Sequence, residues 1–308
     1  GERRTGKTSV LYQLQYHLPE TYAFVLVDLQ SIAYGLGATS DLLYAMSRKI
    51  VNGLRRQAFE LEPAERERFT DHPIEEFVAL GERIGEQALA DGRRAVMIVD
   101  EFDLLIEAVE SGAVSRYVFD CIRGLMQHQD GLSFIFAGAH KISAMLMNPQ
   151  AILFNTALSL RVSFLDAENS ERLIREPVAD VLWYDDLAVE KILRITAGQP
   201  YFIQYICHEL VNLARRERRN FVTLRDVDRA LQSTVQETTG IIRNSYMSLS
   251  LEQQMCLTSL AHITDDGRPF ATMGDIAETL RQDHVTIDPR APSEALRQLV
   301  ERDFLVER

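Results

Sequence analysis

Apolar and polar positions along this 308-residue chain fall into three successive patterns. In the first, short runs that are almost continuously apolar cover residues 22–30, 94–99 and 132–137. Such runs predict strands buried on both faces of a parallel sheet. Between them apolar residues recur at helical spacing. Val10, Leu11, Leu14 and Leu18 mark one helix; Leu42, Leu43, Met46, Ile50 and Leu54 mark another over 40–57. A third, over 73–90, opens on Pro73, turns Ile74, Phe77, Val78 and Ile84 inward, and ends at Asp91-Gly92. Residues 60–72 are charged and read as a loop or frayed helix, 115–128 as a helix, and 157–164 as one more strand. Strands alternating with helices predict a three-layer α/β domain with a parallel sheet.

The pattern changes after Leu165. Residues 167–235 show helical periodicity only, near 168–179, 185–196, 200–217 and 223–235. From 241 onward, helices are expected near 249–262, 272–281 and 292–302, and Asp303 to Arg308 resembles a first wing strand. Three helices and an incipient hairpin predict a winged-helix module, cut before its hairpin closes. The expected organisation is an α/β core over 1–165, a helical domain over 166–240 and a winged helix over 241–308.

Composition narrows the class. Apolar residues make up 46% and charged residues 25%, ordinary for a globular protein. No apolar run is long enough to span a bilayer. The formal net charge of −12 repels polyanions globally, so binding DNA would need a local basic patch. Cys121, Cys207 and Cys256 lie far apart without C-x-x-C spacing. They read as three buried thiols in a reducing cytosol, with neither a disulfide framework nor zinc.

The chemistry concentrates at the opening. Gly1-Glu-Arg-Arg-Thr-Gly6-Lys7-Thr8 is G-x-x-x-x-G-K-[ST], a phosphate-binding loop, followed directly by the first helix. Backbone N–H groups of such a loop wrap phosphates, and the helix aims its positive end at them. Gly1 and Gly6 permit the loop's backbone shape, Thr5 counts among the nucleotide-binding residues, Lys7 would reach the β- and γ-phosphates, Thr8 would ligate Mg²⁺, and Ser9 would support the α-phosphate. Arg3 and Arg4 read as solvated. The loop needs a preceding strand, which would lie ahead of Gly1, so the sequence reads as a fragment. A second signal is Val96-Met-Ile-Val-Asp100-Glu101. The apolar run carries Asp100 to the C-terminal edge of the sheet, where open α/β sheets bind ligands. Asp100 would hold Mg²⁺ and Glu101 would orient the attacking water. The adjacent glutamate and the absence of N-K-x-D favour ATP over GTP. After the 132–137 run, His140 is the first polar side chain, either a γ-phosphate sensor or a loop and cap residue. Gly198-Gln199-Pro200 joins two helices, with Gly198 suited to a C-cap and Pro200 to a first turn.

Together these motifs resemble the STAND class of AAA+-related P-loop ATPases. Gly1-Glu-Arg-Arg-Thr-Gly-Lys-Thr-Ser is similar to the loop of their archaeal and bacterial branch, Gly198-Gln-Pro200 to their G-x-P motif, and Arg175-Glu-Pro177 to a further feature of that branch. The layout is also similar to that of Orc/Cdc6-like AAA+ initiators. The resemblance implies a core, lid and winged helix that close around nucleotide. ADP would hold an inactive form, and ATP an open, oligomerising one. Pro200 would lie against the nucleotide. Ala139 stands where a small hydroxyl residue is expected, which leaves sensing to His140. Arg161 and Arg175 are candidate arginine fingers.

Three functions are compatible. One is a slowly hydrolysing, ATP-gated switch inside a larger signalling or defence protein, cytoplasmic, with ATP/ADP and Mg²⁺ as cofactors, the protein's other domains as partners, and homo-oligomerisation on activation. The second is a DNA-binding initiator-type ATPase. The third is an ATP-binding scaffold with little turnover, disfavoured by Glu101. From Ile241 onward there are seven arginines, no lysine and eleven acidic residues, a balance of −4. The third helix of the winged-helix module offers Arg297, with Arg290 just before it, and also Glu294. This argues against nucleic acid and for packing against protein.

Overall fold

The computed structural model describes residues 5–139, 157–265, 270–282, 291–302, 304 and 305. These form two compact units, Gly6–Val162 and, with Thr5 grouped to it, Ser163 onward.

The first unit is built on a parallel sheet of β1 (Tyr22–Asp28), β2 (Arg94–Asp100) and β3 (Leu132–Phe136), in the order β1-β2-β3. The registers align Asp28 with Asp100 and Val99 with Phe136, so the C-terminal ends of the strands form one edge. Alternate residues define two faces. Helix α1 (Lys7–His17) sets Leu11 and Leu14 against Phe24, Leu26, Val96, Ile98 and Ile135 on one face. Of the expected inward stripe on α1, Val10 and Leu18 remain exposed. The opposite face carries the main core, in which Val25, Val27, Met97, Val99 and Leu132 pack with α2 (Thr39–Arg55), α4 (Pro73–Ala90) and α6 (Tyr117–His128). The short helices α3 (Arg66–Asp71) and α5 (Asp103–Glu110) join this layer. The outer edge of β1 is closed by a side chain. Gln57 accepts from the Phe24 N–H at 3.0 Å and donates to the Phe24 carbonyl at 2.7 Å.

Two features of this unit differ from expectation. Helix α5 has no counterpart in the sequence reading. Residues 157–164 form no strand, and Leu158 and Leu160 are exposed. The segment has a strand's alternation, but a strand exists only where a neighbour's peptide groups pair with it. Among the described residues no strand pairs with it.

The second unit begins with α7 (Ala167–Arg175), whose N-terminus is capped by Asp166 accepting the Asn169 N–H at 2.7 Å. Helices α8 (Asp186–Thr196), α9 (Pro200–Arg216) and α10 (Leu224–Met247) enclose a core of Ile174, Val189, Ile192, Ile203, Ile206, Leu210 and Val227. This region is not purely helical. Trp183–Tyr184 and Phe221–Val222 pair in parallel as β4 and β5. Two-residue strands lie below the length at which alternation can be read. Helix α10 runs through the expected boundary at 240, because a lone Gly240 costs only about 1 kcal/mol within a helix. Beyond it, α11 (Leu251–Asp265), α12 (Met273–Gln282) and α13 (Ala291–Glu301) share a core of Cys256, Ile263, Ile276, Leu280, Ala295 and Leu299. The expected wing falls mostly outside the described residues. Phe304 and Leu305 turn back on α13, both donating to the Leu299 carbonyl. All three cysteines are free; Cys121 and Cys256 are buried, whereas Cys207 is only partly so. No helix among the described residues is long and apolar enough to cross a membrane.

Candidate functional site

The site lies at the C-terminal edge of the sheet, where α1 begins. Gly6 caps α1 with a left-handed backbone, φ 91°, which glycine adopts without a steric penalty. Its carbonyl accepts the Val10 N–H at 2.9 Å and starts the helix. Lys7, half-buried, and Thr8 and Ser9, both exposed, form the first turn. Thr5, just ahead, is buried. Gly1, Arg3 and Arg4 lie outside the described residues.

The apolar run of β2 delivers Asp100 to this edge, 3% exposed. Thr8 Oγ1 donates to Asp100 Oδ2 at 2.6 Å across 92 positions of sequence. The other carboxylate oxygen, Oδ1, accepts the Glu101 N–H at 2.9 Å. Asp100 thus joins the start of α1 to the turn after β2. Glu101, half-buried, holds φ 54°, a left-handed conformation that costs a non-glycine residue about 1–2 kcal/mol. Such strain persists where its surroundings over-determine the backbone, and it concentrates at functional sites.

Two further bonds tie this turn to the chain leaving β3. The Phe102 N–H donates to the Ala137 carbonyl at 2.8 Å, and the fully buried Phe102 ring packs on Phe136 with centroids 4.7 Å apart. The Asp103 carboxylate accepts the Ala139 N–H. Asp103 was not anticipated from the sequence. The acidic residue three positions after Asp100 was visible, but its partner is 36 positions away. His140 lies outside the described residues.

The residues present fit a magnesium ion carried in with a nucleotide. Thr8 and Asp100 present two oxygens 2.6 Å apart, and Mg²⁺ takes oxygen ligands, one or two from protein and the rest from phosphates and water. No group of three or more His, Cys, Asp or Glu side chains suited to a metal occurs among the described residues.

Gly198, Gln199 and Pro200 belong to the second unit, where their surroundings account for all three residue types. Ala197 and Gly198 are consecutive left-handed residues, φ 49° and 81°. A Cβ on Gly198 would stand 2.1 Å from the Leu165 carbonyl oxygen. Gln199 caps α9 by accepting the Phe202 N–H at 2.8 Å, and Pro200 occupies its first position. The candidate finger Arg175 is engaged within its own unit, with Glu171 and Asp186 at 2.7 Å each and the Tyr184 carbonyl at 2.9 Å. Arg161 is exposed.

No family model and no curated protein matches this chain. Solved structures do. It is similar to a Walker-type ATPase of Pyrococcus abyssi at 18% identity and TM-score 0.68, covering 100% of this chain and 85% of that one. It is similar to the ORC2 protein of Aeropyrum pernix in its ADPNP–ADP complexes at 13% identity and TM-score 0.61, covering 98% and 77%. Drosophila ORC bound to DNA matches at 16% identity and TM-score 0.51, covering 98% and 72%. The chain has the α/β fold of the P-loop NTPases, a parallel-sheet core followed in sequence by a helical region. Within that class its neighbours are AAA+-like, of the Walker-type and Orc/Cdc6-like kinds.

Proposed function

We propose that this chain binds ATP with Mg²⁺ at the edge formed by α1 and β2 and hydrolyses it slowly, as the nucleotide-gated module of a larger protein. The observation that carries the reading is the Thr8–Asp100 hydrogen bond, which joins the phosphate-loop motif to the acidic pair. In this reading Gly1, Thr5, Gly6, Lys7, Thr8 and Ser9 hold the phosphates and Lys7 neutralises the γ-phosphoryl oxygens. Thr8 and Asp100 hold Mg²⁺, which when bound supplies further charge neutralisation on the β- and γ-phosphates. Glu101 accepts a hydrogen bond from the water that attacks the γ-phosphorus. Pro200 and the sensor role of His140 remain assignments by resemblance.

Slow turnover is supported in part by Arg175. One of the two candidate fingers, it has its guanidinium engaged by two carboxylates and a carbonyl within its own unit, and an ATPase without an arginine finger in place turns over slowly. The switch, which would change form or oligomeric state with nucleotide, rests on the resemblance of the motifs to nucleotide-gated AAA+-related ATPases.

The second reading, an initiator that binds DNA, is favoured by the likeness to Drosophila ORC bound to DNA and to the Aeropyrum pernix protein. The charge of the winged-helix candidate opposes it. Arg297 on α13 is paired with Glu294 at 2.6 Å and Glu301 at 2.7 Å, so its charge is spent locally. Phosphate contacts supply most non-specific DNA affinity, and here they would first have to break these pairs.

The experiment is phosphate release with parallel calorimetry on wild type and Glu101→Gln. Retained ATP affinity with turnover reduced at least about a hundredfold supports the assignment. Undiminished turnover removes Glu101 from it.

A further inference from the structure

The turn after β2 is fastened to the chain leaving β3 by more than sheet pairing. The Phe102 N–H bonds the Ala137 carbonyl, the Phe102 ring lies on Phe136, and one position later the Asp103 carboxylate takes the Ala139 N–H. Asp103 stands in the first turn of α5, yet that helix has no side-chain cap, so its carboxylate reaches out of its own helix to another segment. The same four-residue turn holds Asp100, bonded to Thr8, and Glu101 in its left-handed conformation. A carboxylate accepting a peptide N–H makes a charge-assisted bond, stronger and more directional than a neutral one.

We infer that Asp103 is a positioning residue for hydrolysis: by holding the Ala139 peptide, it locks the backbone leaving β3 to the turn that carries Asp100 and Glu101. The proposal rests on the ATPase reading above. It explains how Ala139, which offers no hydroxyl, still occupies a fixed place at this edge: the anchor is its main-chain N–H, supplied with a partner from the neighbouring turn. In this role Asp103 acts through the backbone, by way of the Ala139 peptide. Its loss therefore disturbs the geometry in which the attack takes place, while the phosphate loop keeps its hold on the nucleotide. Displacements of this kind, about an ångström at the reacting centre, cost on the order of a hundredfold in rate.

The test compares wild type, Asp103→Ala and Asp103→Asn in three measurements: nucleotide affinity, kcat, and hydrogen exchange of the Ala139 amide. Asparagine keeps an acceptor oxygen at the same reach and removes the charge. The expected result for Asp103→Ala is affinity within about twofold of wild type, kcat reduced by about tenfold to a hundredfold, and faster exchange at Ala139. Asp103→Asn is expected to restore Ala139 protection and to bring kcat back within about threefold of wild type. Equal loss of kcat in both variants overturns the proposal, because the charge and not the backbone bond would then matter. Unchanged Ala139 exchange in Asp103→Ala overturns it too, as does loss of affinity in step with kcat, the mark of a merely structural role. An absence of turnover in wild type refutes the ATPase reading itself and the positioning role with it, and the exchange data then separate that failure from a missing bond.

Discussion

Replacing Gly198 by alanine should destabilise the second unit by several kcal/mol, although the change adds one methyl group at a helix end. The backbone there is left-handed, φ 81°, and an alanine in that region costs about 1–2 kcal/mol. The methyl would also stand 2.1 Å from the Leu165 carbonyl oxygen and 3.1 Å from its carbon, both main-chain atoms without a rotamer to escape through. Relief requires the two segments to part, which breaks the Leu165 N–H bond to the Gly198 carbonyl at 2.9 Å, worth about 1 kcal/mol. Overpacking of this kind adds about 1–3 kcal/mol. The expected cost is about 3–6 kcal/mol, and for a unit of this size roughly a 10–20 °C loss in melting temperature. Differential scanning calorimetry reads it directly. Ala197→Gly is the control of opposite sign. Ala197 already holds φ 49°, so glycine removes strain and should stabilise by up to about 1 kcal/mol. A shift of less than about 2 °C in Gly198→Ala, or shifts of the same sign in both variants, would refute the reasoning.

The Asp226 carboxylate accepts from Arg219 at 2.8 and 3.1 Å and from the Thr223 N–H and hydroxyl at 2.9 and 2.7 Å, and these partners, Arg219 foremost, hold it well below the usual carboxylate range. A depressed folded pKa contributes stability in full above the unfolded value near ~3.9 and loses it as pH falls below that. Asp226→Ala should therefore cost about 1.5–3 kcal/mol at neutral pH, and the deficit should shrink on acidification below about pH 4; urea titrations at pH 7 and pH 3 check this. Burial pushes the Cys121 thiol up to about 12 and the Cys207 thiol up to about 11. At pH 8 their thiolate fractions are about one in a thousand or less, so a disulfide reagent should label both only slowly until denaturant is added; rapid labelling of Cys121 in the native protein would contradict its burial. Anisotropy with a random duplex near physiological salt should show binding weaker than about micromolar, and a submicromolar constant would promote the initiator reading.

The sequence carried most of the core and stopped where structure depends on distant partners. The apolar runs over β1, β2 and β3 and the stripe on α2 were readable because buried strands and long amphipathic helices repeat their signal over many residues. Helix α5 was missed because it has only eight residues, and Leu104, Leu105 and Ile106 are consecutive and form no stripe. The 157–164 segment shows the opposite failure: it has the alternation of a strand, and among the described residues no strand pairs with it. At the site, the phosphate-loop motif and the acidic pair could each be read locally. The left-handed backbone of Glu101 and the Asp103–Ala139 bond could not, because each follows from how the turn after β2 meets the chain leaving β3.

The most direct test of the account is calorimetric titration of ATP with Mg²⁺ into wild type and Lys7→Ala. If phosphates sit at the head of α1 against the Thr8–Asp100 pair, wild type binds and Lys7→Ala loses measurable affinity. Equal affinity in the two proteins would place the nucleotide elsewhere and contradict the site.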